Sequence, residues 1–243
     1  MNTEIATNLA HIQQRIQAAC KSAGRPAHEV KLLLATKTVS AQRIAEALRL
    51  GHTLIAENKV QELKDKFPEL TQLVHTNHFI GHLQTNKIKE LIRYQVSCLQ
   101  SLDREDLASK LNVRLELENQ YMDVFIQVNT SGEESKFGVS PEGTVALCKY
   151  VAALPRLKIK GLMTIGLLSA QSEKVRECFR LLKSIQKQVN AEMIPGVDLQ
   201  ELSMGMSGDL EIAIEEGATI VRVGTAVFGT RVTPDSYYWD ESR

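Results

Sequence analysis

Short apolar strands alternate with helical segments along most of this chain, and the alternation constrains the fold more than any other feature of the sequence. Runs that are apolar throughout are typical of parallel strands covered by helices on both faces. The predicted strands are 30–36, 53–58, 78–83, 96–102, 122–130, 158–166, 199–207 and 219–229. Eight strands separated by seven helical segments predict an α/β protein whose sheet closes into a single (β/α)8 TIM barrel.

A single domain is expected for the 243 residues, because no Gly/Ser-rich linker and no change of composition divides the chain. Apolar residues recur at spacings of four, three and four between 5 and 16, which predicts an additional N-terminal helix. We therefore expect a lead-in over 1–29, the barrel over 30–231 and a tail over 232–243. An open doubly wound sheet is the alternative, but no predicted strand is followed by a GxGxxG turn.

Charge and cysteine content exclude several classes of protein. The 29 basic and 29 acidic residues cancel, so we expect neither nucleic acid nor an anionic membrane as a partner. No apolar run reaches the length of a membrane span, and the first residues have the pattern of an amphipathic helix rather than a signal peptide. The four cysteines form no CxxC pair, which favours reduced thiols in a cytoplasmic protein. No separate association domain is visible, so we expect a monomer.

Polar residues mark the predicted starts of several helices. Ser40, Thr85 and Asp103 are each predicted to cap the helix that follows. Ser140, which a proline follows, has the chemistry of another helix start. Pro68 is expected to end the helix that begins near residue 59, because proline lacks an N–H group and clashes with the preceding turn.

The C-terminal ends of the strands carry the functional residues in barrels of this class, so residues at those ends are predicted to share one site. They are Lys37, Glu57, Asn58, His82, Ser203, Ser207, Arg222, Gly224 and Thr225. His75, His78 and His82 do not predict a metal site, because positions 75 and 78 point to opposite faces of a strand and no carboxylate or cysteine completes the set.

Lys37 stands at the end of the first predicted strand, where partial desolvation is expected to lower the pKa of its amine. A neutral amine is a nucleophile toward aldehydes. The alternative is that Lys37 only extends from the strand end into water.

The loops after the last two strands have the parts of a phosphate site. Gly224 allows close backbone approach, and Ser203, Ser207 and Thr225 add hydroxyl donors. In barrels a phosphate commonly lies on these loops and on the N-terminus of a short helix. Ordinary turn chemistry is the alternative explanation for such glycines and serines.

A phosphate site facing a nucleophilic amine predicts a phosphorylated aldehyde held as a Schiff base, and pyridoxal 5′-phosphate (PLP) is the natural candidate. Arg222 would then face the pyridine nitrogen, which must stay unprotonated because a guanidinium only donates. The alternative for Arg222 is an ion pair with Glu211 or Glu215. His82 either packs beside the ring or satisfies a hydrogen bond in the core.

The same residues lie in stretches that resemble the pyridoxal phosphate homeostasis protein family, a single-domain relative of the N-terminal barrel of alanine racemase. The matching stretches are LLLATKTVS, IAENKVQEL, HFIGHLQTNKIK, SKFG, IKGLMTI and ELSMGMSGDLEIAIEEGATIVRVGTAVFG. They follow one another in order through most of the chain from the first strand onward. Thr36 departs from the serine common in the family, and the change keeps a hydroxyl group.

The resemblance implies that Lys37 is the Schiff-base lysine. It places the PLP phosphate on Ser207 and on the amides of Gly224 and Thr225, with Ser203 nearby. It further implies the remaining pocket residues, which are Arg222 at the pyridine nitrogen, Asn58, His82, and Lys136 of SKFG near the entrance.

The resemblance also implies a protein that binds PLP and hands it on to PLP-dependent apoenzymes, without enzymatic turnover. Racemases of this fold take a second acid/base group from a separate C-terminal β domain, and a sequence that ends at Arg243 offers only Tyr237 and Tyr238 instead. A PLP-dependent racemase, a Schiff-base aldolase and a phosphate-binding barrel without a Schiff base remain the alternatives.

Overall fold

Eight parallel strands form a closed barrel in the computed structural model, which describes residues 3–133, 135–167, 169 and 171–229. Each strand pairs with the next one along the chain, and β1 pairs with β8 to close the barrel. The strands are β1 Lys31–Ala35, β2 Leu54–Glu57, β3 Thr76–Phe79, β4 Val96–Leu102, β5 Met122–Gln127, β6 Leu157–Met163, β7 Glu201–Ser203 and β8 Ile220–Val223. The barrel predicted from the alternation is thereby confirmed.

The helices surround the barrel, and α1 is the additional N-terminal helix that the sequence predicts. In the described residues they are α1 Thr3–Ser22, α2 Ala41–Arg49, α3 Val60–Leu70, α4 Ile88–Arg93, α5 Glu105–Leu117, α6 Thr144–Ala152, α7 Ser172–Ala191, α8 Leu210–Glu215 and α9 Thr225–Phe228, with 3-10 turns at Ala27–Glu29 and Thr85–Lys87. Among these residues, no helix combines the length and the apolar character needed to cross a membrane.

The apolar core has two parts. The larger part lies between the barrel and its helices, and the smaller part fills the barrel with Leu33, Ala56, Cys98, Phe125, Met163 and Ile220. Because side chains alternate across a strand, the next inward positions along β4, β5 and β8 are Gln100, Gln127 and Arg222. All three are buried. The barrel interior therefore changes from apolar to polar toward the C-terminal ends of the strands.

Of two further predicted helix boundaries, one agrees with the structure and one does not. The hydroxyl of Ser40 caps α2 by accepting a hydrogen bond from the Arg43 amide, as predicted. Pro68 does not end α3, which continues to Leu70. The prediction was wrong because Pro68 lies in the last turn of α3, where the loss of one backbone hydrogen bond does not interrupt the helix.

Three other predicted caps were wrong. Thr85 is the first residue of a 3-10 turn that precedes α4. Asp103 makes no cap for α5, and its carboxylate instead accepts a hydrogen bond from Arg104. Ser140 closes a turn by accepting from the Gly143 amide, and α6 begins only at Thr144. For Asp103 and Ser140, a tertiary or turn contact takes the polar group that the sequence pattern assigns to the helix.

Every strand except β4 is shorter than predicted, and β7 and β8 differ the most. β3, β7 and β8 leave the barrel ladder early, and their C-terminal residues form loops at the mouth. The last predicted strand, 219–229, includes α9 at its end. The tail 232–243, with Tyr237 and Tyr238, lies outside the described residues. The four cysteines are buried and free of disulfides.

Candidate functional site

Lys37 and Gly224 follow neighbouring parallel strands at the same end of the barrel. Leu33 and Leu34 of β1 pair with Arg222 and Val223 of β8, so the two chain segments leave the sheet side by side. A Cβ atom on Gly224 would lie 2.8 Å from the carbonyl oxygen of Ala35. Glycine is therefore required for this close approach.

The loops after β7 and β8 meet at Ser207 and Thr225. The Thr225 hydroxyl donates to Ser207 Oγ at 3.4 Å, and Thr225 is exposed while Ser207 is partly buried. Gly205, in the first loop, has φ +90°, and a Cβ atom there would lie 2.4 Å from that of Ala213. Two accessible hydroxyl groups beside a glycine-dependent backbone can hold a phosphate.

Arg15 of α1 supports the first of these loops from outside. Its guanidinium donates to the Ser207 carbonyl at 3.0 Å and makes two hydrogen bonds to the Glu211 carboxylate, at 2.6 and 2.8 Å. Arg15 also lowers the pKa of Glu211. The additional helix is therefore tied to the loop that carries Ser207.

We expect Arg15→Gln to weaken the binding of inorganic phosphate about fivefold, because the Ser207 loop loses a charge-assisted hydrogen bond. Phosphate titration followed by NMR measures the effect. Arg25→Gln is the matched control, since Arg25 donates to the carbonyls of Ile214 and Ala218 at the far end of α8. Equal weakening in both variants would show that Arg15 acts on overall stability alone.

Arg222 is buried inside the barrel, with its guanidinium held by two acceptors. It donates to Ser203 Oγ at 2.9 Å and to the Thr164 carbonyl at 2.8 Å. Burial lowers its pKa to about 10, and Asp209 opposes that shift. At neutral pH the group is still a cation.

The predicted alternative of an ion pair between Arg222 and a carboxylate of α8 is wrong. Glu211 pairs with Arg15, and Glu215 pairs with Arg176 at 2.6 Å. Both carboxylates lie outside the barrel, whereas the Arg222 side chain points into it.

Ser203 lies beneath Arg222 with no exposed surface. Its hydroxyl accepts from Arg222 and donates to Gln100 Oε1 at 2.6 Å. Ser203 is thus joined to the guanidinium rather than to the two loops that carry Ser207 and Thr225. The sequence placed it with the phosphate loops because β7 was predicted to extend to residue 207.

Asn58 and His82 lie at the ends of β2 and β3. In the described part of the chain, Asn58 Oδ1 is buried without a hydrogen-bond partner. A Cβ atom on Gly81 would lie 1.9 Å from the Asn58 carbonyl oxygen, so the two segments touch through backbone. The His82 ring stacks on Phe137, with 3.9 Å between ring centroids, and its Nδ1 lies 3.8 Å from the Asp103 carboxylate.

Lys136 is also held at this end of the barrel. Its amine donates to the Gly166 carbonyl at 2.9 Å and to the Glu133 carboxylate at 3.0 Å. The loop after β5 is thereby joined to the loop after β6.

A second group of polar residues supports the backbone at Lys37, and the sequence analysis did not identify it. The Lys66 amine of α3 donates to the carbonyls of Thr36 and Lys37 and to Glu57 Oε1 at 2.7 Å. Thr36 donates to the same Glu57 oxygen at 2.6 Å. Burial raises the pKa of Glu57 to about 8, against the charge and hydrogen bond of Lys66. Glu57 therefore lies between β2 and α3, behind Lys37, and not at the mouth.

The arrangement suits a phosphorylated aromatic aldehyde. It combines a lysine amine, two loops that carry hydroxyl groups, a buried cation and, among the described residues, an Asn58 oxygen without a hydrogen-bond partner. No cluster of three metal-binding side chains occurs among the residues that the structure describes.

Comparison with known proteins agrees with this arrangement. Residues 7–232 match the model of the family "Alanine racemase, N-terminal domain". The pyridoxal phosphate homeostasis protein of Aquifex aeolicus is 46% identical over 223 residues, which cover 92% of this chain and 96% of that protein. That of Escherichia coli K12 is 38% identical over 231 residues, covering 94% and 97%.

Solved structures of similar proteins share the fold of this chain. PipY of Synechococcus elongatus with PLP bound has a TM-score of 0.82 and 30% identity, covering 93% of this chain and 100% of that one. An unknown protein from Bifidobacterium adolescentis has a TM-score of 0.87 and 37% identity, covering 93% and 95%. Alanine racemase of Clostridium difficile shares the fold, with a TM-score of 0.76 and 13% identity over 96% of this chain and 58% of that one. The chain therefore belongs to the pyridoxal phosphate homeostasis protein family, whose barrel is that of the alanine racemase N-terminal domain.

Proposed function

We propose that this protein binds PLP through a reversible Schiff base to Lys37 and hands it on to PLP-dependent apoenzymes, without robust turnover of its own. The observation that carries the proposal is the close pairing of β1 with β8, which brings the Lys37 segment beside Gly224. PLP supplies the aldehyde that an amine can capture. The names of the related homeostasis proteins and the PLP in the PipY structure support this ligand.

In this proposal the phosphate binds Ser207 and the amides of Gly224 and Thr225. These two residues stand at the start of α9. Arg222 donates toward the pyridine nitrogen, and Ser203 acts through Arg222. Asn58 offers its unpaired oxygen, His82 lines the pocket, and Lys136 stands at the entrance.

The proposed lack of turnover rests on the cation beneath the ring. A guanidinium has no acceptor and keeps its protons at neutral pH, so a nitrogen that accepts from it stays unprotonated. An unprotonated pyridine ring withdraws electrons poorly, which disfavours fast carbanion chemistry. We further propose a cytoplasmic monomer, in line with the four free, buried cysteines.

Transfer of the cofactor tests this function. The protein loaded with PLP is mixed with an apo form of a PLP-dependent enzyme, and recovery of that enzyme's activity is followed against an equal concentration of free PLP. We expect recovery from the loaded protein and no sustained racemisation of alanine or serine by the protein alone. Steady turnover that disappears in Lys37→Ala would contradict the carrier function and favour a racemase.

Arg222→Ala is expected to weaken PLP binding by about tenfold to a hundredfold without abolishing the covalent linkage, because Lys37 is unchanged. Absorption spectroscopy during a PLP titration measures affinity, and borohydride reduction measures the linkage. Loss of all covalent attachment in this variant would show that Arg222 has a different role.

A further inference from the structure

A chain of hydrogen bonds crosses the interior of the barrel from Arg222 to a histidine on the far side. Arg222 donates to Ser203 Oγ at 2.9 Å, Ser203 donates to Gln100 Oε1 at 2.6 Å, and Gln100 Nε2 lies 2.8 Å from His78 Nδ1. Gln100 and Ser203 have no exposed surface. The four side chains come from β8, β7, β4 and β3, so the chain ties together strands distant in sequence.

The direction of every bond in this chain follows from Arg222 and from the Gln100 oxygen that faces Ser203. A guanidinium can only donate, so Ser203 accepts from it and gives its own proton to Gln100 Oε1. The amide of Gln100 then accepts through its oxygen and has only N–H groups left for His78. Nδ1 of His78 must therefore accept, which requires a neutral ring with its proton on Nε2.

The chain also determines how tightly the guanidinium is held. A buried polar group that loses its partner is destabilised, so no member can be removed without affecting the next. The second acceptor of Arg222, the Thr164 carbonyl, is backbone and stays in place when side chains change. How firmly the guanidinium is oriented therefore depends on Ser203 and on Gln100 and His78, which follow Ser203 in the chain of hydrogen bonds.

We propose that Gln100 and His78 are positioning residues, which orient the Arg222 guanidinium toward the bound ring through Ser203 without touching the ligand. The ligand part of this inference rests on the function proposed above. The orientation of protons along the chain does not, and it can be tested in the protein without PLP.

The first test reads the proton on His78 directly. The protein is labelled with ¹⁵N-histidine, and long-range ¹H–¹⁵N NMR spectra are recorded without PLP between about pH 5 and 8. We expect one of the six histidines to keep a bare Nδ1 and a protonated Nε2 throughout. Burial also lowers the pKa of His78 to about 4, which agrees with a ring that stays neutral in this range. Loss of that signal in His78→Gln assigns it.

A His78 ring that carries its proton on Nδ1, or that titrates near its ordinary pKa, would show that the proposed chain of hydrogen bonds is wrong. Gln100→Glu provides the reverse case, because a carboxylate only accepts and His78 Nδ1 must then donate. We expect the His78 signal in this variant to move to a ring protonated at Nδ1.

The second test measures whether Gln100 acts through Arg222. Gln100→Leu is expected to weaken PLP binding about tenfold in the wild-type background and to have no further effect in Arg222→Ala, while the affinity for inorganic phosphate stays unchanged. Gln186→Leu is the matched control, since Gln186 is also buried and donates to the Leu199 carbonyl outside the barrel. An equal loss from Gln100→Leu with and without Arg222 would overturn the positioning role. If wild-type protein bound no PLP at all, the proposed function would fail while the NMR result still decided the proton positions.

Discussion

Lys37→Ala is expected to remove all covalent PLP from the protein, together with the absorption of the Schiff base. The reason is that Lys37 follows β1 beside the loop of Gly224, and we propose its amine as the one that captures the aldehyde. Titration with PLP followed by visible absorption, and mass spectrometry after borohydride reduction, measure the loss.

The phosphate loops and Arg222 are unchanged in Lys37→Ala, so this variant should still bind inorganic phosphate with wild-type affinity. Lys31→Ala is the control, because Lys31 begins the same strand at the opposite end of the barrel, where it pairs with Glu201. We expect Lys31→Ala to keep the full covalent signal. A covalent signal of wild-type size in Lys37→Ala would contradict the assignment.

Lys66→Met is expected to cause the largest loss of stability, about 1–3 kcal/mol at pH 8, because it leaves the buried Glu57 carboxyl group without the donor that Lys66 supplies. The side chains of Lys66 and Glu57 are only 12% and 2% exposed. The same substitution leaves the carbonyls of Thr36 and Lys37 without the donor that holds them. Urea unfolding followed by circular dichroism measures the change.

The loss in Lys66→Met should depend on pH in a defined direction. Burial already raises the pKa of Glu57 to about 8, and removing the Lys66 ammonium raises it further. A folded-state pKa above the unfolded value means that the folded chain holds the proton more tightly, so stability falls as pH rises from about 4.5 to the folded pKa. Both proteins share this fall up to about pH 8, but it continues to higher pH in the variant, so the loss relative to wild type should be larger at about pH 9.5 than at pH 7.

Glu57→Gln in the Lys66→Met background provides the control for this prediction. A neutral amide still accepts from Thr36 but carries no charge to leave uncompensated. We expect the double variant to recover much of the stability lost at pH 8 and to show no pH-dependent loss at this site. A loss relative to wild type that is the same at about pH 7 and pH 9.5 in Lys66→Met would show that Glu57 is not responsible.

Much of the fold could be predicted because its signal is local and repeated. Apolar runs such as those that contain Leu33 and Phe125 identify buried strands, and eight repeats of strand and helix leave few alternatives to a barrel. The same logic places Lys37 and Gly224 at one end, since both follow parallel strands. The helix caps were less predictable, because Asp103 and Ser140 each had a competing partner close by.

The residues behind the site could not be predicted, because their roles depend on contacts between distant strands. Lys66 looks like one more charge on an amphipathic helix until α3 is packed against the end of β1. Gln100 gives a weak signal as an amide within a strand that is otherwise largely apolar, yet its link to Ser203 requires the closed barrel. The partner of Arg222 was missed for the same reason.

The central claim is that Lys37 and the loops of Ser207 and Gly224 serve one ligand, and mapping the reduced adduct tests it most directly. Wild-type protein is loaded with PLP, reduced with borohydride, digested and sequenced by mass spectrometry, with an excess of inorganic phosphate added in a parallel sample before loading. We expect a single modified peptide that carries the pyridoxyl group on Lys37, and less of it when phosphate competes. Modification of another lysine, or labelling of Lys37 that phosphate leaves unchanged, would contradict it.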